Sequence, residues 1–211
     1  MSSNEKQNRA FQEMLKPALK RLQGRSAEKI AENTGIFYDS TRKMFHLKSL
    51  GQNIYIQYPQ YNIVPQLNEW HHLLILHYMD LADKTPPTGQ LMSFGELPDG
   101  MARGGGFDRQ SEEILSRQLG NGEDGRIRKA CEVLGAKILS SNADLCAVFY
   151  LFPFYPITLK IWYGDEEIPG SGRLFPDRSA GRFLSVEDAV TAGTLLLESL
   201  LREYKQPGKG R

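Results

Sequence analysis

Residues 145–163 constrain the fold more than any other stretch of this chain. LCAVFYLF, residues 145–152, is apolar on both faces, as a strand covered on two sides must be. In the segment that follows, Ile157, Leu159, Ile161 and Tyr163 alternate with Thr158, Lys160 and Trp162. A period of two means a strand with one more polar face. The apolar run over 145–159 is too short to span a bilayer and is interrupted by Pro153 and Pro156. It therefore reads as the core of a water-facing domain. Directly after it comes WYGDEEIPGSGRLFPDRSAGRFL, residues 162–184, with three consecutive acids, two prolines, four glycines and three arginines. So dense a mixture of charge and turn residues is expected to be a loop, and either a binding site or a structural crossing.

The remaining elements fall around this pair. Residues 5–33 read as helical, with Phe11, Met14, Leu15, Ala18 and Leu22 at helical spacing, a kink or restart at Pro17, an N-cap at Ser26 and an end near Gly35. Phe45 and Leu47, then Ile54, Ile56 and Tyr58, alternate around a turn at residues 49–52, an antiparallel hairpin closed by Pro59 and Pro65. Residues 67–82 form a helix whose apolar surface, Leu67, Trp70, Leu74, Tyr78 and Leu81 widened by Leu73, Leu76 and Met79, places it at the centre of the core. Residues 84–106 carry three prolines and a run of glycines and read as a long loop of the functional kind. Helices are expected at 107–119 and 123–134, and a last one after the Ser185–Asp188 capping pair. Strands and helices are segregated rather than alternating. This predicts an α+β fold: one domain over residues 26–204, mostly antiparallel sheet packed by helices, with a helical extension at 1–25 and a flexible tail at 205–211.

Composition excludes several function classes. A formal net charge of +1 on 211 residues leaves no basic stripe for a nucleic acid, so no nucleic-acid partner is expected. Cys131 and Cys146 belong to no C-x-x-C pair, which removes zinc ribbons and iron-sulfur ligation within this chain, and no metal site is expected. Their apolar neighbours predict buried, reduced thiols without a disulfide. The N-terminus lacks an apolar signal core, so a cytoplasmic protein with no membrane partner is expected. His71, His72 and His77 share a helix, but no two are three or four residues apart, so they cannot converge on one metal; one could serve as a lone axial ligand to a tetrapyrrole or corrinoid metal. Arg103 with Gly104, Gly105 and Gly106 suits either an anion site or a flexible lid, and there is no P-loop, dinucleotide or G-x-S-x-G signature.

Two blocks carry a resemblance. Residues 87–100, PTGQLMSFGELPDG, form the first; the second runs from Phe152-Pro153 through Pro156, Trp162, Asp165-Glu166-Glu167 and Leu174-Phe175-Pro176-Asp177 to Ser179-Ala180 and Leu184. Together they resemble the bacterial and archaeal family of the domain of unknown function numbered 3786, over about residues 28–192. The resemblance implies no reaction and carries over no catalytic residue. It implies an anaerobic setting and, in some members, an attached iron-sulfur segment of the kind found in corrinoid proteins, which this chain lacks.

The sequence thus favours a small-molecule or cofactor-binding module, for which the resemblance implies a tetrapyrrole or corrinoid connection, its ligand otherwise unknown. The expected ligand-binding residues are Glu96, Arg103, Asp165, Glu166, Glu167, Arg173 and Asp177, with the two loops meeting to form the mouth. One alternative is an enzyme using Asp165, Glu166 or Glu167 for acid-base or metal chemistry. Another is a protein-interaction domain without a small ligand. If the strand register of Ile157, Leu159 and Ile161 continues through Gly164, Asp165 faces inward and pairs with backbone amides or with Arg173 or Arg178.

Overall fold

A computed structural model describes residues 3–206. The elements, in order, are α1 (Ser3–Leu22), α2 (Ala27–Thr34), β1 (Phe37–Asp39), β2 (Met44–Ser49), β3 (Gln52–Gln57), β4 (Asn62–Val64), α3 (Glu69–Leu81), α4 (Gly100–Leu119), α5 (Asp124–Val133), β5 (Lys137–Leu139), β6 (Leu145–Phe152), β7 (Tyr155–Trp162), β8 (Ser171–Pro176) and α6 (Val186–Lys205). Single 3-10 turns at Phe94–Glu96 and Ala180–Arg182 precede α4 and α6. The fold is α+β. Its strands form two antiparallel four-stranded meanders, β1-β2-β3-β4 and β5-β6-β7-β8, rather than one sheet.

Local chemistry explains most boundaries. The Ser26 hydroxyl accepts from the Lys29 amide at the start of α2, and Gly35 ends that helix at φ 69°. Asn68 and Ser185 cap α3 and α6 in the same way. The helix α1 runs on through Pro17, so there is no restart there. The tail expected at 205–211 lies outside the described residues from 207 onward.

The centre of the molecule is α3. Leu73, Leu74, Ile75, Leu76, Tyr78 and Met79 are all buried, so the helix is covered around most of its circumference. On one side the inward residues of the first sheet, Phe45, Leu47, Ile54 and Ile56, belong to the same apolar cluster; so do Phe149, Ile157 and Leu159 of the second. The Tyr78 ring stacks on Phe152 at 4.4 Å, and its hydroxyl donates to the Thr34 carbonyl at 2.8 Å. The N-terminal helix packs on α3 with Phe11, Ala18 and Leu22 buried. A charged clamp holds this contact: buried Asp80 receives Arg21 Nε at 2.5 Å and Arg25 at 2.6 Å. Cys131 and Cys146 are buried and free, and burial pushes the Cys131 thiol up to about 12.

Two expectations are corrected here. Residues 100–106 are not loop but the first turns of α4. The glycines are required for contact: a Cβ on Gly104 would stand 2.1 Å from the Phe94 carbonyl oxygen, and one on Gly100 2.4 Å from the same atom. They let the helix backbone touch the 3-10 turn, and Asp108 seals the joint by accepting from the Phe94 and Gly95 amides at 3.1 and 2.8 Å. The second correction is β8, which occupies half of the supposed acidic loop. Gly172, Leu174 and Pro176 face inward and Arg173 outward, with Leu159 paired to Leu174 and Lys160 to Arg173. Glycine and proline at inward positions hid that alternation.

Candidate functional site

The two blocks do meet, and Asp177 is the joint. Its Oδ1 accepts from the Thr88 amide and hydroxyl, both at 2.9 Å, and from the Ser179 amide and hydroxyl at 2.9 and 2.7 Å; Oδ2 accepts from the Gly89 amide at 2.7 Å. The backbones join alongside, Met92 N to Pro176 O at 3.1 Å and Arg178 N to Gln90 O at 2.8 Å. Asp177 is only 3% exposed. Burial alone would raise its pKa, but the hydrogen bonds from Ser179 and Thr88 outweigh it and hold the carboxyl below the usual range. A carboxylate with so many donors is committed to holding the chain together.

Other acids and arginines of the two blocks are also engaged. Glu96 accepts from the Ser93 amide and hydroxyl at 2.7 Å each, which lowers its pKa. Arg173 forks onto Glu112 of α4, with Nε at 3.0 Å and a terminal nitrogen at 2.8 Å. The inward register expected for Asp165 does not hold. Asp165, Glu166 and Glu167 are all exposed. Asp165 Oδ1 accepts from the Glu167 and Ile168 amides at 2.9 and 2.8 Å, and these bonds lower its pKa. The alternation stops at Gly164, whose backbone is pinned by a bond from its amide to the Gly120 carbonyl at 2.9 Å. From there the chain turns outward, with no bond from Asp165 to Arg173 or Arg178 among the described residues. These three carboxylates make a solvent-facing turn rather than a pair converging on a shared point.

Arg103 stands apart from that set. It is exposed on the first turns of α4 and has no hydrogen-bond or ion-pair partner among the described residues. It overlooks a groove of about 460 Å³ between α1, α3 and α6. Trp70, Leu73 and Leu74 from α3 and Val190 and Leu195 from α6 give the groove apolar walls, and Met14 of α1 joins them. Asp188, Glu187 and Glu198 line its polar side. Asp188 is fixed in place, with both its oxygens 2.9 Å from His77 Nδ1 and one 3.1 Å from the Ser185 hydroxyl. Two smaller clefts border the joined blocks. One, about 260 Å³, lies between Pro98 and Leu184; the other, about 290 Å³, is flanked by Arg109 and the Arg173–Glu112 pair.

Sequence reasoning passed over the groove because its apolar walls carry the same helical periodicity as the core. Trp70 was placed in the buried seam, yet it is half-buried at the groove. A usable signal was present: Thr191, Thr194 and Glu198 follow one another at helical spacing beside Val190 and Leu195, a mixed face rather than a core face. Among the described residues no group of three or more His, Cys, Asp or Glu is placed to hold a metal ion. No helix among them is long and apolar enough to cross a membrane.

No curated protein and no solved structure matches the chain. A family match does exist, to the family described as Domain of unknown function (DUF3786), over residues 26–199. That span runs from the Ser26 cap into α6 and takes in both blocks and the Asp177 joint; it leaves out residues 1–25, α1 among them, and residues 200–211. The chain belongs to the DUF3786 family.

Proposed function

We propose that this protein is a binding module for a small amphipathic molecule, seated in the groove between α1, α3 and α6. The observation that carries the reading is the combination of apolar walls, about 460 Å³ of space and an unpartnered guanidinium, Arg103, at the rim. Sites for small ligands have this make-up: an apolar cavity of roughly 300–1,000 Å³ with a few polar groups that fix orientation. Arg103 suits a carboxylate, sulfonate or phosphate on the ligand. The fixed Asp188, with Glu187 and Glu198 beside it on the groove wall, suits donors at its other end.

A metal-bearing tetrapyrrole or corrinoid fits the groove poorly. His71, His72 and His77 do not line it. His71 is tied to the Ser49 hydroxyl at 2.9 Å and His77 to Asp188, which leaves no histidine as an axial ligand there. The acid-base alternative rests on three exposed carboxylates that do not converge, so no observation favours it over binding.

The test is a titration with anilinonaphthalene sulfonate, a fluorescent probe with an apolar body and one anionic group. Saturable binding at one site is expected, weakened about tenfold, or roughly 1.4 kcal/mol, by Arg103→Ala. Filling the groove with Val190→Trp should abolish it. Binding that is non-saturable, or that ignores both substitutions in folded protein, overturns the proposal.

A further inference from the structure

One wall of the groove has a uniform chemistry. Glu187, Thr191, Thr194 and Glu198 line it from α6 and follow one another by three or four positions, so they form a single stripe along the helix. Both threonine hydroxyls commit their proton to the backbone, Thr191 to the Glu187 carbonyl at 2.8 Å and Thr194 to the Val190 carbonyl at 2.9 Å. Each therefore has only lone pairs left to offer a ligand. With a carboxylate at either end, the stripe is made of acceptors alone. The facing wall, Trp70, Leu73 and Leu74 of α3, is apolar.

The two ends of the stripe differ in their company. Helices α4 and α6 run in the same sense: a Cβ on Gly193 would stand 2.6 Å from the Phe107 ring, and one on Gly122, just after α4, 3.0 Å from the Tyr204 hydroxyl. Arg103, one turn before Phe107, therefore stands toward the first turns of α6, where Glu187 lies. Asp188 is already held by His77 and the Ser185 hydroxyl. Glu198 is the carboxylate farthest along, eleven positions after Glu187 and about 16 Å further on the helix axis. It is exposed and has no ion-pair partner among the described residues. Arg103 is the one cation among the described residues lining the groove, and Arg202, one turn beyond Glu198, reaches Glu203 instead at 3.8 Å.

We infer that the ligand of this groove is a linear zwitterion, with an acid group at Arg103, an ammonium at Glu198 and an unbranched apolar chain between them; this rests on the reading of the groove as a small-molecule site. Charge complementarity assigns the two heads. The Arg103 guanidinium forks onto an oxyanion. An ammonium has three donors and no acceptor, so it matches Glu198 and the threonine lone pairs with nothing left unpaired. The chain lies against Trp70, Leu73 and Leu74 on one side and Val190 and Leu195 on the other. The stripe also rejects the nearest alternatives. A dicarboxylate brings its second acid to a wall of acceptors, and a diamine brings an ammonium to Arg103.

The test is displacement of anilinonaphthalene sulfonate from the full chain by 12-aminododecanoate, dodecanoate and dodecanedioate, each below its aggregation concentration and each read as a dissociation constant. The amino acid is expected to bind about threefold to fivefold more tightly than dodecanoate, the scale of one exposed ion pair, and the diacid to bind most weakly. Glu198→Gln should reverse the order of the first two, because the ammonium loses its partner while a terminal methyl needs none. Arg103→Ala should weaken all three alike. Both variants should unfold at the temperature of the parent, since both side chains are exposed. Dodecanoate binding to the parent as tightly as the amino acid overturns the zwitterion and leaves the groove reading standing. So does a Glu198→Gln loss that is equal for both, or a saturably bound probe that none of the three displaces. A probe that does not bind saturably overturns the groove reading and the zwitterion with it.

Discussion

Asp165 and Asp177 sit twelve positions apart in the same charged stretch, and they do opposite things. Asp177 is buried and gathers five donors, two of them backbone amides from the segment at Thr88 and Gly89. Asp165 is exposed and caps a turn made of its own next three residues. The first ties together parts of the chain 88 and 89 positions apart; the second organises only itself. Residue type and neighbourhood in sequence are nearly the same, so the difference comes from what tertiary structure brings to each carboxylate. A buried acid is tolerable only with such a set of donors.

The contrast can be broken first at Asp177. Asp177→Ala strands the buried Ser179 amide and hydroxyl and removes the hydrogen bonds from Thr88 and Gly89, bonds to a charged group being worth about 1.5–3 kcal/mol each. A loss of about 4 kcal/mol is expected by urea denaturation, a large share of the roughly 5–15 kcal/mol that holds an ordinary domain folded. A loss under about 1 kcal/mol would mean that the joint is decorative.

Next in size is the seat of the 3-10 turn beside the joint. Gly104→Ala should cost about 3 kcal/mol, because the new methyl would meet the Phe94 carbonyl at 2.1 Å. Gly105→Ala, one residue on, meets nothing within 4 Å and should stabilise the helix by about 0.5–1 kcal/mol. Opposite signs at adjacent glycines, read as shifts in unfolding temperature, would establish that the glycine run is a contact surface and not a hinge.

Acid sensitivity sharpens the comparison further. The folded pKa of Asp177 is lowered, so its contribution is fully present above the unfolded value near 4 and is lost as pH falls through the folded value. Asp177→Asn should therefore be less stable than the parent at pH 7, with the gap narrowing as the pH falls from 5 to 2. A gap constant across that range would show the charge to be irrelevant.

The smallest effects belong to the exposed turn. Asp165→Ala should cost at most about 1 kcal/mol, the scale of a lost cap, and Glu166→Gln should fall within about 0.5 kcal/mol of the parent. A loss at Asp165 as large as that at Asp177 would erase the distinction drawn between them.

The patterns that are local in sequence determined a good deal. The 3.6-residue period around Leu74 and Tyr78 gave α3, the alternation in residues 157–163 gave β7, and Ser26, Gly35 and Ser185 gave helix ends, because caps and amphipathic faces are properties of a few neighbouring residues. The segregation of strands and helices gave the α+β class. Tertiary structure alone decided the rest. Gly100 and Gly104 lie in a helix that packs its bare backbone on the 3-10 turn at Phe94–Glu96 just before it, and nothing in a glycine run distinguishes such a close contact from a loop. Leu174 and Pro176 form a strand because β7 offers its edge. The groove exists because α1, α3 and α6 leave Trp70 and Val190 half-buried between them. Asp177 is a clasp because its donors arrive from the other block, and a carboxylate's role depends on donors that sequence spacing does not show.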